Sequence, residues 1–102
     1  MSQKLTRALD RYKEIETILA SQGASADPET YASLMKEYCS LSEIYEKSEE
    51  YSRAEKEIED LTALLASEDD PALKELCEGE LRDAKERLER VQKELNSLLF
   101  IF

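Results

Sequence analysis

An apolar stripe in the last third of the chain constrains the fold more than any other feature. From Asp70-Pro71 onward, apolar residues recur at Cys77, Leu81, Ala84, Leu88, Val91, Leu95 and Leu98. Steps of four and three residues alternate, which keeps these side chains on one side of an α-helix. The residues between them are mostly charged, so a helix here buries its stripe only by docking against another helix. Asp70-Pro71 supplies the start: the carboxylate caps free N–H groups, and the proline ring is already set for the first helical position.

The same start signal stands earlier, at Asp27-Pro28, where Glu29 adds negative charge that the helix dipole favours. Upstream, Leu5, Leu9, Tyr12, Ile15, Ile18 and Leu19 share one face of a helix from about Ser2 to Gln22. Gly23 is a natural helix stop, and Gly23-Ala24-Ser25-Ala26 reads as a short loop. The second helix spans about residues 28–66. Its first seam is Tyr31, Leu34, Tyr38, Leu41 and Ile44 or Tyr45; its second is Ala54, Ile58, Leu61 and Leu65. Residues 46–52 between the seams are mostly polar apart from Tyr51, consistent with a stutter, a slight break or an exposed turn. Ser67-Glu68-Asp69 reverses the chain into a third helix over about residues 71–99, and so short a connection sets the two helices antiparallel. Gly79 inside that helix costs about 1 kcal/mol relative to Ala and reads as tolerated rather than needed for a close crossing. The expected architecture is all-α, one domain over residues 1–102: a three-helix bundle dominated by a long antiparallel coiled-coil-like helical hairpin.

Composition agrees. The 102 residues are 37% charged, with two Gly, two Pro and no Trp or His, as long amphipathic helices require. A bundle of this size has a ribbon-like core rather than a pocket that encloses a substrate. No apolar run approaches the roughly 20 residues that cross a membrane. Met1-Ser2-Gln3-Lys4 leads into mixed charge without a signal-peptide core, which makes the cytoplasm the expected location. The net charge of −10 is uneven: residues 27–70 hold fourteen acidic and four basic side chains, a local net of −10. That segment repels phosphate, so direct nucleic-acid binding is not expected. A basic protein surface is its electrostatic match, and the competing reading, the favoured one, is a solvated helix face that keeps the chain soluble.

Catalytic constellations are missing. Without histidine there is no imidazole base and no Ser-His or Cys-His pair. The two glycines stand 56 positions apart, so no phosphate-cradling loop forms. Glu55 and Glu59 lie on a polar face without the Glu-x-x-His half of a carboxylate metal site. Cys39 and Cys77 lack the CxxC spacing of a metal or redox pair and read as small buried or half-buried thiols. Tyr12, Tyr31, Tyr38, Tyr45 and Tyr51, mostly at seven-residue steps, read as seam packing rather than an RNA-stacking platform. No catalytic, cofactor-binding or metal-binding residue is assigned, and the chain is not expected to be an enzyme.

Several runs in order carry a family likeness: Met35-Lys36-Glu37-Tyr38-Cys39-Ser40-Leu41-Ser42, Glu57-Ile58-Glu59-Asp60, Asp70-Pro71-Ala72-Leu73-Lys74-Glu75-Leu76 and Glu80-Leu81-Arg82-Asp83-Ala84-Lys85-Glu86. On them the chain resembles, over nearly its whole length, the N-terminal helical domain of bacterial peptide chain release factor 1, of the class I release factor family. The resemblance implies a part of a protein that enters the ribosome at a stop codon and triggers hydrolysis of peptidyl-tRNA. In that family a Pro-x-Thr tripeptide in a later domain reads the codon, and a Gly-Gly-Gln motif in another acts at the peptidyl-transferase centre. Neither function is carried onto any residue here. The resemblance implies instead a binding role near the base of the ribosomal stalk, with a basic ribosomal protein and the GTPase release factor as partners.

The candidate partner-binding residues are Glu49 and Glu50 in the polar patch of the second helix, and Asp69 and Asp70 at the turn into the third. The closing run Leu98-Leu99-Phe100-Ile101-Phe102 breaks the stripe and is not expected to be left in water. It folds back onto the bundle or marks a cut; the family continues into a Pro- and Asp-rich linker, so an excised or truncated first domain is expected. The chain is then a monomer, or self-associates weakly through its apolar end. The competing expectation is a free-standing coiled-coil adaptor that binds protein partners or itself.

Overall fold

Helix start signals in this chain are strong, and each is used. In a computed structural model that describes residues 2–22 and 27–102, three helices form: α1 (Gln3–Gln22), α2 (Pro28–Ser67) and α3 (Pro71–Phe100). Ser2 Oγ accepts a hydrogen bond from the Leu5 N–H at 3.2 Å, and Asp27 Oδ2 accepts one from the Thr30 N–H at 3.2 Å. Asp70 Oδ1 accepts from the Ala72 N–H at 3.0 Å. Such caps are worth about 1 kcal/mol each. The all-α, three-helix expectation holds, with helix ends within a residue of those expected. The expected stop at Gly23 and the loop over residues 23–26 lie outside the described residues.

Continuity of α2 resolves the open reading of residues 46–52. The helix runs 40 residues without a break, roughly 60 Å at ~1.5 Å per residue. Ser48 is 7% exposed and Tyr51 half-buried, so covered positions run on through Leu41, Ile44, Ser48, Tyr51, Ala54, Ile58 and Leu61. Two three-residue steps in succession, 48 to 51 to 54, shift the phase of the stripe without ending the helix.

The chain divides into two compact units, residues 1–46 with 97–102, and residues 47–96. In the first unit, Leu5, Ala8 and Ile15 of α1, Leu41 and Ile44 of α2, and Leu99 of α3 are buried. Arg11 Nε and Nη2 donate to the two carboxylate oxygens of Glu37 at 2.6 and 3.0 Å. The Tyr12 ring stacks on both Tyr38 and Tyr45, with centroids 5.0 and 4.8 Å apart. Its hydrogen bond with Tyr12, and secondarily burial, push the Tyr38 phenol up to about 12. Three of the five tyrosines therefore pack on one another, whereas Tyr31 is exposed. The closing run is expected to leave water, but only Leu99 of its last four residues is buried: Phe100 and Ile101 are 84% and 82% exposed and Phe102 is 48% exposed, with Ile101 and Phe102 at the rim of a groove beside Leu41 and Ile44.

In the second unit, α2 and α3 run antiparallel. Lys47 pairs with Glu94, Glu50 lies 3.9 Å from Arg90, and Glu57 lies 2.7 Å from Arg87. Partner numbers fall as α2 advances, as antiparallel neighbours require. Ala54 and Leu61 from α2, and Cys77, Ala84, Val91 and Leu95 from α3, are buried. Leu81 and Leu88 of the stripe are half-buried. Burying a side chain such as Val91 or Leu95 is worth ~1.5–3 kcal/mol. Cys77 is buried as expected, but Cys39 is exposed; both are free thiols.

Candidate functional site

Carboxylates dominate the surface, and the four candidates among them have different local duties. Glu50 is half-buried and accepts a hydrogen bond from Lys47 Nζ at 3.3 Å. Lys47 also reaches Glu94, and Arg90 Nε stands 3.6 Å from Glu94 Oε1, so these four side chains close a ring across α2 and α3. The hydrogen bond from Lys47 holds the Glu94 carboxyl below its ordinary range. Glu94, and then Glu50, hold the Lys47 ammonium above its own. Glu49, one residue away, is exposed.

Asp70 is the cap of α3; its carbonyl also accepts from the Lys74 N–H at 2.9 Å, and its N–H donates to Glu68 Oε1 at 3.1 Å. Asp69 is exposed. Thus Glu50 and Asp70 act within the fold, and Glu49 and Asp69 present their charge to solvent. Eighteen residues of helix and turn, 51–68, lie between the two pairs, about 25 Å at the helical rise. The structure does not bring them into one patch.

One triplet matches the wording of a family motif. Pro28-Glu29-Thr30 spells Pro-x-Thr, yet it is the opening turn of α2, with Thr30 N and Oγ1 both donating to Asp27 Oδ2 at 3.2 and 3.3 Å. Thr30 is thus engaged in capping α2.

A second surface is one that the sequence pattern conceals. Leu73 and Leu76 near the start of α3 are 47% and 59% exposed, and Leu64 near the end of α2 is 48% exposed. Leu73 and Leu76 are three residues apart and so neighbours on one helix face. Beside Leu76 the surface dips at Gly79 into a shallow depression flanked by Glu75, Glu80, Arg82 and Asp83. A Cβ on Gly79 would meet only Arg82 Nη2, at 3.8 Å, so internal packing does not require glycine there. Residues 68–80 carry six carboxylates against one lysine, Lys74. The signal in the sequence is Leu76 itself: it precedes Cys77 by one residue and so stands about 100° off the buried stripe.

Among the described residues, no group of three or more Cys, Asp or Glu side chains is placed to hold a metal ion. Among them, too, no helix is long and apolar enough to cross a membrane. The arrangement offers charge and a small apolar surface, the means of binding a partner.

Comparison with known proteins gives the surface a context. Residues 8–101 match the family model described as the PCRF domain. Peptide chain release factor 1 of Agathobacter rectalis and that of Chloroherpeton thalassium are each 34% identical to the chain over 99 residues. The protein of the same description from Chlorobaculum tepidum is 33% identical over 99 residues. Each alignment covers 97% of this chain and 28% of the relative, so the chain spans little more than a quarter of the length of these curated relatives. No solved structure matches.

Proposed function

The chain belongs to the PCRF domain family, and from that membership we propose that it serves as the N-terminal helical domain of a peptide chain release factor in translation termination. It positions the factor on the ribosome near the stalk base, in the cytoplasm, and performs no catalysis of its own. The observation that carries this reading is the length of the match, residues 8–101 of 102. Its partners are a basic ribosomal protein and the GTPase release factor. The net charge of −10 over residues 27–70 favours such a protein surface over bare rRNA, whose phosphates it repels.

Glu49, Glu50, Asp69 and Asp70 are the proposed contact residues. Because Glu50 and Asp70 have partners inside the fold, reversing Glu49 and Asp69 is the cleaner test. In a release factor carrying this domain, Glu49→Lys with Asp69→Lys should weaken ribosome association at low salt, and the deficit should shrink as salt screens it. Association equal to the parent at every salt concentration would remove the acidic contact from the proposal.

A free-standing, self-associating adaptor is the second reading, favoured by Phe100 and Ile101, which are 84% and 82% exposed. A defined oligomer in light scattering would support it; a monomer supports the release-factor domain.

A further inference from the structure

Exposed apolar side chains that adjoin one another on a charged surface form the kind of patch on which a partner docks. Leu73 and Leu76 are such a pair, and Gly79 extends their face into a bare depression. Glycine inside a helix is unfavourable, and nothing in the packing of this unit calls for it. It does leave room for a side chain from outside.

We propose that Leu73, Leu76 and the depression at Gly79 form the docking point for a basic protein surface that carries an apolar recess. The proposal rests on the reading of the chain as a domain that positions a factor on the ribosome. Charge selects the occupant. Six carboxylates and one lysine over residues 68–80 give that stretch a net −5, so a second copy presenting the same face would be repelled, and so would a phosphate backbone. Basic side chains around an apolar recess would meet the carboxylates while the recess takes the leucines. Two leucines on one helix cover little area, which suits a contact that forms and releases.

The test pellets the chain with salt-washed ribosomes, and separately with ribosomal RNA freed of protein. Leu73→Gln with Leu76→Gln removes the apolar surface while keeping a side chain of similar helix propensity. Leu76→Gln alone, at the more exposed position, is the variant to use if circular dichroism shows the double one misfolded. The parent should pellet with ribosomes and not with protein-free RNA, and the double variant should bind about tenfold more weakly or worse. A double variant that binds as the parent does overturns the docking point and leaves the domain reading standing. A parent chain that fails to pellet with ribosomes overturns both. Leucine-dependent binding to protein-free RNA, or a dimer in sedimentation equilibrium that the substitutions dissolve, also overturns it, by assigning the face to nucleic acid or to a second copy.

Discussion

Arg11 grips both carboxylate oxygens of Glu37, and this fork ties α1 to α2. The guanidinium hydrogen bond holds the Glu37 carboxyl below its ordinary value, outweighing the opposite effect of burial. A carboxyl whose folded value is depressed contributes stability above its unfolded pKa, about 4.3. That contribution is lost as pH falls through the folded value. Both side chains are about a third exposed or more, at 33% and 39%, so screening by water keeps the pair below about 1 kcal/mol. Urea unfolding of Glu37→Gln should therefore show a small deficit at neutral pH that shrinks as pH drops below the ordinary carboxylate range. A deficit undiminished by acid would contradict this origin. Local features of this kind divide sharply in how they read from sequence. The caps at Asp27 and Asp70 were legible because capping needs only neighbours in the chain. The insertion of Tyr12 between Tyr38 and Tyr45 was not, because it depends on how two helices meet.

Among the elements, α2 is where sequence and structure part. Residues 46–52 look polar, yet Ser48 is buried and the helix continues through them unbroken. Periodicity alone scores Ser48 as polar, although a serine side chain is small enough to be buried in a helical seam. The stripe of α3 was legible because Cys77, Ala84, Val91 and Leu95 keep one phase for the whole unit. At Gly79 a methyl group would have only Arg82 Nη2 near it, at 3.8 Å, so Gly79→Ala has room. The substitution should stabilise the chain by about 0.5–1 kcal/mol, through helix propensity and a less flexible unfolded chain. Thermal or urea unfolding measures it directly; a lower midpoint would mean that glycine is needed for the helix backbone itself.

For the whole molecule, charge and connectivity carry the functional argument. Long capped helices offer side chains along their faces rather than an enclosed cavity, and the charge they carry is mostly negative. The candidate site was legible in part for the same reason. Charge counts survive folding, so an acidic docking surface could be expected, but which carboxylates are spent on Lys47, Arg90 or a helix cap depends on cross-helix register. The exposed leucines of α3 were hidden because apolar residues in a helix are assigned to its core. A domain that docks but does not catalyse should compete with an intact factor for the same place. The decisive measurement is the rate of peptide release from ribosomes programmed with a stop codon, driven by an intact release factor and titrated with this chain. Excess chain should slow release, and the chain alone should release nothing above background. Release by the chain alone, or a factor-driven rate unchanged at saturating chain, would contradict a docking domain without catalysis.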